Sequence, residues 1–244
     1  LVPEPCYVSY APSVSLSDGT PVAVRCLAAN DFVLTPELLE EAITPRTKAL
    51  ILAYPNNPTG AVMTKEQLEA IVPVIIKHDI LVISDEIYAE LTYTGKHTSI
   101  ASLKDMAERT VVINGFSKAF AMTGWRIGFV CAPPEIDEAM FKIHQYTIMC
   151  APRVSQHAAN AALSEGLADG FAVVEEMREE YARRGRFLAN AFNSMGLKCF
   201  LPKGAFYVFP SVESLELTGE QFANGLLKAQ KVAVVPGSAF GEAG

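Results

Sequence analysis

"TVVINGFSKAFAMTGWRIGFVCAP", residues 110–133, sets two apolar runs around a stretch of small residues that carries one lysine, Lys118, and one arginine, Arg126. The flanking runs TVVINGF (110–116) and IGFVCAP (127–133) lack polar alternation, the pattern of strands buried on both faces. Working outward, PVAVRCLA (21–28), KALILAYP (48–55) and ILVISDE (80–86) read the same way. Segments of helical period with readable starts lie between them. Thr35 followed by Pro36 opens PELLEEAI. Thr64 with Gln67 three residues on forms a capping box for KEQLEAIVPVIIKH, in which Pro73 is expected to kink or restart the helix. Strand, helix and strand repeated in this order specify an α/β fold: a three-layer sandwich with a mainly parallel central sheet and crossover helices on its faces.

Beyond residue 133 the pattern changes. PEIDEAMFKIHQYTIM (134–149), SQHAANAALSEG (155–166) and FAVVEEMREEYARRGRFLANAFNSMG (171–196) read as helices, the last long enough to bridge two domains and closing on Gly196. LKCFLPKGAFYVFP (197–210), TGEQFANGLLKAQ (218–230) and VAVVPG (232–237) read as strand, strand, helix, strand, too little for an independent core. The expected organisation is a large domain over 1–188, incomplete at its N-terminal side, and part of a small α+β domain over 189–244. LVPEPCY opens as a loop after a strand and VVPGSAFGEAG stops abruptly, so the chain reads as a fragment of a longer one.

Composition narrows the function. Half of the 244 residues are hydrophobic and 19% are charged, which excludes a disordered chain. A formal net charge of −7 argues against a nucleic-acid surface. No apolar run approaches the roughly 18 residues a membrane span needs. The cysteines Cys6, Cys26, Cys131, Cys150 and Cys199 lack metal-ligand spacing and a disulfide framework, which suggests a reducing, cytoplasmic setting. His78, His97, His144 and His157 share no spacing and receive no role, and Arg183, Arg184 and Arg186 read as the solvated face of a helix. Phe141, Tyr146, Ile148 and Met149 could face a partner or the core, with core burial the default.

Ligands of parallel sheets bind beyond the carboxyl ends of the strands, and three such ends carry unusual chemistry. Lys118, placed straight after a strand and near a second cation in Arg126, is a candidate Schiff-base amine, although most lone lysines are surface residues. Asp85 ends a buried run, where an unpaired carboxylate would cost several kcal/mol. It therefore needs a partner: a backbone amide, a helix start, an arginine, or the protonated nitrogen of a pyridine cofactor. Tyr88 follows three residues later and could reach such a ring, or simply pack. Asn57, in the tight turn N-P-T-G (57–60), could point its amide into the same place.

NNPTG, SDEIY and GFSKAFAMTGWRIG, in this order, with PCYVSY upstream and PKGAFYVFP downstream, resemble the class I/II aminotransferases of fold type I, related to aspartate and aromatic aminotransferases. The resemblance covers the whole chain. It implies a pyridoxal 5′-phosphate (PLP) enzyme in which Lys118 is the covalent anchor and proton carrier. Asp85 would pair with the pyridine nitrogen, while Tyr88 and Asn57 would bond the phenolic oxygen. Arg126 and Ser117 would bind the phosphate, Tyr7 would stack on the ring, and Asn57 would also touch the substrate carboxylate. The Glu4–Pro5 and Asn57–Pro58 bonds match positions that are cis in relatives. The substrates implied are an L-amino acid and a 2-oxo acid, and the assembly a homodimer, with neither nucleic acid nor membrane as partner.

Relatives begin about a hundred residues earlier, with a phosphate-binding loop and residues that cross to the partner. They also continue to an arginine that grips the substrate carboxylate. Efficient transamination is therefore not expected from these residues alone. Two other functions share the motifs: a PLP-dependent C–S lyase, and the PLP-sensing domain of a transcriptional regulator.

Overall fold

The computed structural model describes all 244 residues. Its frame is a run of β strands alternating with helices: β1 (Val2–Glu4), α1 (Tyr10–Leu16), β2 (Ala23–Arg25), α2 (Pro36–Ala42), β3 (Ala49–Ala53), α3 (Lys65–Lys77), β4 (Leu81–Asp85), β5 (Thr110–Gly115) and β6 (Gly128–Cys131). β3, β4 and β5 pair in parallel, and β6 adds antiparallel to β5. β1 and β2 form a second parallel pair, and the Ile51 amide donates to the Leu1 carbonyl at 3.0 Å, so β1 lies along the free edge of β3. The expected α/β architecture with a mainly parallel sheet is what the chain adopts.

The sheet is held by one large apolar cluster beneath α2 and α3. Leu50, Leu52 and Val82 from the strands meet Leu39, Leu68, Ile71 and Ile75 from the helices, with Ile80, Ile100 and Met106 closing the layer. α2 starts where Thr35 accepts from the Leu38 amide, and α3 starts on the Thr64–Gln67 capping box. α3 continues through Pro73 as one helix rather than restarting there. Pro73 is exposed, so the carbonyl it leaves unpaired can turn to water, while Leu68, Ile71 and Ile75 hold both halves of the helix on the core.

Other expectations need correction. The opening LVPEPCY contains strand β1 rather than a loop, and PVAVRCLA is strand only over Ala23–Arg25. After the sheet come α4 (Pro134–Thr147), α5 (Arg153–Asp169), α6 (Ala172–Ser194) and α7 (Gly219–Gln230), as the periodicity predicts. The three late strands do not form. Cys199–Pro210 and Thr92–Gly204 meet only as isolated antiparallel bridges, and Val232, Val234 and Val235 are exposed with no strand beside them. An apolar β-branched run becomes a strand only where a neighbour takes its amides and carbonyls. Phe141, Tyr146, Ile148 and Met149 are exposed instead of buried, because no element of this chain covers the second half of α4 or the residues that follow it. No helix is long and apolar enough to cross a membrane.

Candidate active site

The carboxyl ends of β3, β4 and β5 sit side by side, since Ala53 pairs with Asp85 and Asp85 with Ile113. The turn after each strand carries one of the candidate residues.

Asp85 closes β4 with its carboxylate held by two neutral donors. The Tyr10 hydroxyl donates to Oδ2 at 2.7 Å and the Ile87 amide to Oδ1 at 3.1 Å. Burial first, then the charge of Asp85, push the Tyr10 hydroxyl well above its ordinary pKa, so it stays a donor. No cationic side chain pairs with Asp85, and its negative charge is available to a ligand.

Tyr88 is buried one turn further on, with its hydroxyl 2.6 Å from that of Tyr207. Lys118 Nζ lies 5.6 Å from the centroid of the Tyr88 ring and 5.4 Å from that of Phe206. It has neither a hydrogen bond nor a carboxylate partner, so two aromatic faces are what hold the amine. Asp85, Tyr88 and Lys118 are thus brought together, with Tyr10, Tyr207 and Phe206 around them.

Asn57 follows β3 in a turn pinned from several sides. Asn56 accepts from the Thr59 amide at 3.1 Å and donates to the Pro5 carbonyl at 3.2 Å, which ties this turn to the segment carrying Tyr7. The Glu4–Pro5, Tyr54–Pro55 and Asn57–Pro58 bonds are cis. Asn57 Oδ1 is buried without any hydrogen-bond partner, and such an orphaned polar group is costly unless a ligand satisfies it. Tyr7 is half exposed, edge-on to Tyr10 with 5.6 Å between ring centroids.

Ser117 follows the end of β5 and Arg126 precedes the start of β6. The register pairs Gly115 with Gly128, and the Phe116 amide donates to the Ile127 carbonyl at 3.4 Å, so the next positions outward are 117 and 126. A side chain at Gly115 would come within 2.8 Å of Gly128 Cα, which is why both positions are glycine. Arg126 is exposed, takes the left-handed backbone (φ 51°) and donates only to the Thr123 carbonyl at 2.9 Å. The rest of its guanidinium is free for an anion.

Sequence reasoning passed over Phe206, Tyr207 and Tyr10, which opens α1 three residues after Tyr7. It also gave His97 no role. His97 Nε2 lies 2.9 Å from Glu86 Oε2, while Ser99 and Ser84 donate to Glu86 Oε1 at 2.7 and 3.0 Å. Burial alone would raise the Glu86 carboxyl, but the bonds from His97, Ser99 and Ser84 outweigh it and hold the group below its ordinary value. This network lies directly beneath the Asp85 turn. Cys6, beside Tyr7, is no nucleophile, since burial and Glu4 push its thiol up to about 12. An open cleft of about 450 Å³ between Tyr93 and Arg178, Arg183 and Arg186 of α6 shares no residue with this group, and Arg183 and Arg184 are engaged by Glu180.

The profile of the family described as "Aminotransferase class I and II" matches residues 1–244. Bacillus subtilis (strain 168) YugH, whose name marks it only provisionally as an aminotransferase, is 52% identical over all of this chain and 62% of its own length. An aspartate aminotransferase of Pyrococcus abyssi is 49% identical over the whole chain and 62% of its own length. The crystal structure of the aromatic aminotransferase from Pyrococcus horikoshii OT3 superposes with a TM-score of 0.96 at 48% identity, over 100% of this chain and 65% of that one. The chain therefore spans under two thirds of the length of the relatives it matches. The strand order, the three strand-end turns and the match over every residue lead to one conclusion: this chain belongs to the class I and II aminotransferases, a pyridoxal phosphate-dependent family.

Proposed function

We propose that the protein is a PLP-dependent aminotransferase that moves an amino group between an L-amino acid and a 2-oxo acid, with Lys118 as its covalent anchor. The observation that carries the reading is the Lys118 amine, without an anion partner between the Tyr88 and Phe206 rings and joined through Tyr88 to the turn of Asp85. Its surroundings fit the cofactor. The unpaired charge of Asp85 suits a protonated ring nitrogen, the side-chain NH2 of Asn57, which makes no hydrogen bond, suits a ring oxygen, and the free guanidinium of Arg126 suits a phosphate.

In this reading PLP, when bound, supplies a conjugated electron sink next to the substrate α-carbon. The chain supplies the rest. Asp85 holds positive charge on the ring nitrogen, and the donors Tyr10 and Ile87 stop its carboxylate from turning away. Tyr88 and Asn57 bond the phenolic oxygen, and Asn57 also meets the substrate carboxylate. Arg126 and Ser117 bind the phosphate, Arg126 as a planar fork. Tyr7 covers one ring face. Once the substrate amine has displaced it from the cofactor, Lys118 Nζ would take the proton leaving the substrate α-carbon and return it to the cofactor carbon that the lysine itself had held.

Residues 1–188 form the cofactor-binding domain and 189–244 part of the small domain. A homodimer in a cytoplasmic setting completes the proposal, supported by the exposed apolar residues Phe141, Ile143 and Tyr146 of α4 and by five free cysteines.

The test is the absorbance of the full-length protein with PLP, before and after borohydride, beside Lys118→Ala. A reducible chromophore is expected in the wild type and absent from the variant; its persistence in the variant sinks the role of Lys118. Aspartate and an aromatic amino acid, each added with a 2-oxo acid, should then exchange their amino groups. A β-thioether amino acid that releases a thiol, ammonia and pyruvate, with no exchange of amino groups by the other two, would identify a C–S lyase instead.

A further inference from the structure

We propose that Tyr207 is a positioning residue whose hydroxyl can donate to Tyr88, leaving the Tyr88 proton free for the phenolic oxygen of the bound cofactor and strengthening Tyr88 as a donor to it. The inference rests on the PLP reading above and adds a residue to it.

The two hydroxyl oxygens are 2.6 Å apart, and neither has another hydrogen-bond partner. Burial, then the bond to Tyr207, raises the Tyr88 phenol; burial also raises that of Tyr207 and outweighs the lowering by its bond to Tyr88, so both protons stay on. Two protons and one bond between them leave one proton spare. Where Tyr88 donates, its own proton is consumed and it can offer a ligand only an acceptor. Where Tyr207 donates, Tyr88 keeps a proton free for the ligand side, and its hydroxyl becomes a stronger donor because it is already accepting. An electron-rich phenolic oxygen selects the second arrangement.

The rings are held for this exchange. Tyr88 and Tyr207 meet edge to face with centroids 5.8 Å apart, and Phe206 packs against both, at 5.3 Å from Tyr88 and 4.8 Å from Tyr207. The charged and titratable groups facing Tyr88 are Asp85, Tyr7, Tyr10 and Tyr207, with Lys118 Nζ over its ring. Of these, Tyr207 alone is bonded to the Tyr88 hydroxyl.

The experiment uses Tyr207→Phe, which keeps the ring, in the full-length protein loaded with PLP, and reads the pH midpoint of the cofactor's absorbance change. Losing the relay weakens the donor to the phenolic oxygen, which then holds the neighbouring imine proton more tightly. The midpoint should rise by about half a pH unit, the size of one modest hydrogen bond. In a Tyr88→Phe background the same substitution should add nothing, because Tyr207 acts through Tyr88. An unchanged midpoint in Tyr207→Phe, or an equal shift in both backgrounds, overturns the assignment. Absence of any cofactor chromophore in the wild type would instead overturn the proposed function, and this inference with it.

Discussion

Glu86 shows how a single side chain supports the site without entering it. Its carboxylate is buried beneath the Asp85 turn and accepts from Ser84 and Ser99 beside His97. A carboxyl held below its ordinary pKa in the fold binds fewer protons there than in the unfolded chain. Its stabilisation is therefore full above the unfolded value of about 4.3 and is lost as pH falls through the lower folded value. We expect the thermal midpoint to drop in that acid range, and to drop less steeply in Glu86→Gln, which forfeits the term at neutral pH. Parallel acid limbs for the two proteins would refute this account. Asp85, Lys118 and Arg126 could be singled out from their neighbours in the chain. Glu86 and His97 could not, because their significance comes from a contact across eleven residues that no spacing rule anticipates.

At the scale of elements, the turn after β3 depends on Gly60. Its backbone is left-handed (φ 72°), and a Cβ there would sit 2.5 Å from Pro202 Cβ and 3.1 Å from the Gly204 carbonyl. The Gly60 carbonyl also accepts from the amides of Lys203 and Gly204 at 2.8 and 3.0 Å, which clamps residues 203 and 204 onto the turn that carries Asn57. Gly60→Ala combines backbone strain with overpacking and should cost about 2 kcal/mol or more, read from the chemical denaturation midpoint. An unchanged midpoint would mean that the clamp is slack. The turn was legible in N-P-T-G, whereas its partner was not, since residues 202–204 reach it through folding alone. The same limit explains the late strands. Their residues carry β propensity, but propensity fixes no partner, and the bridges at Thr92–Gly204 and Cys199–Pro210 are all that pairing allows here.

For the whole molecule, the exposed second half of α4 is the feature with most consequence. Tyr146 is 87% exposed, Ile143 lies one turn before it on the same face, and Phe141, Ile148 and Met149 are exposed as well. The proposed homodimer would bury them. The full-length protein is expected to sediment as a dimer, and Ile143→Glu combined with Tyr146→Glu to shift it toward monomer; a dimer undiminished by both charges would place the interface elsewhere. The sequence by itself determined the order of strands and helices between residues 35 and 196, the mainly parallel sheet and the residues at its carboxyl ends, because apolar period, caps and turn residues are local properties of a chain. Only the tertiary structure decided that Tyr10 bonds Asp85, that Tyr207 meets Tyr88 and that α4 lies bare. Those outcomes depend on which distant segments arrive side by side, and packing sets that.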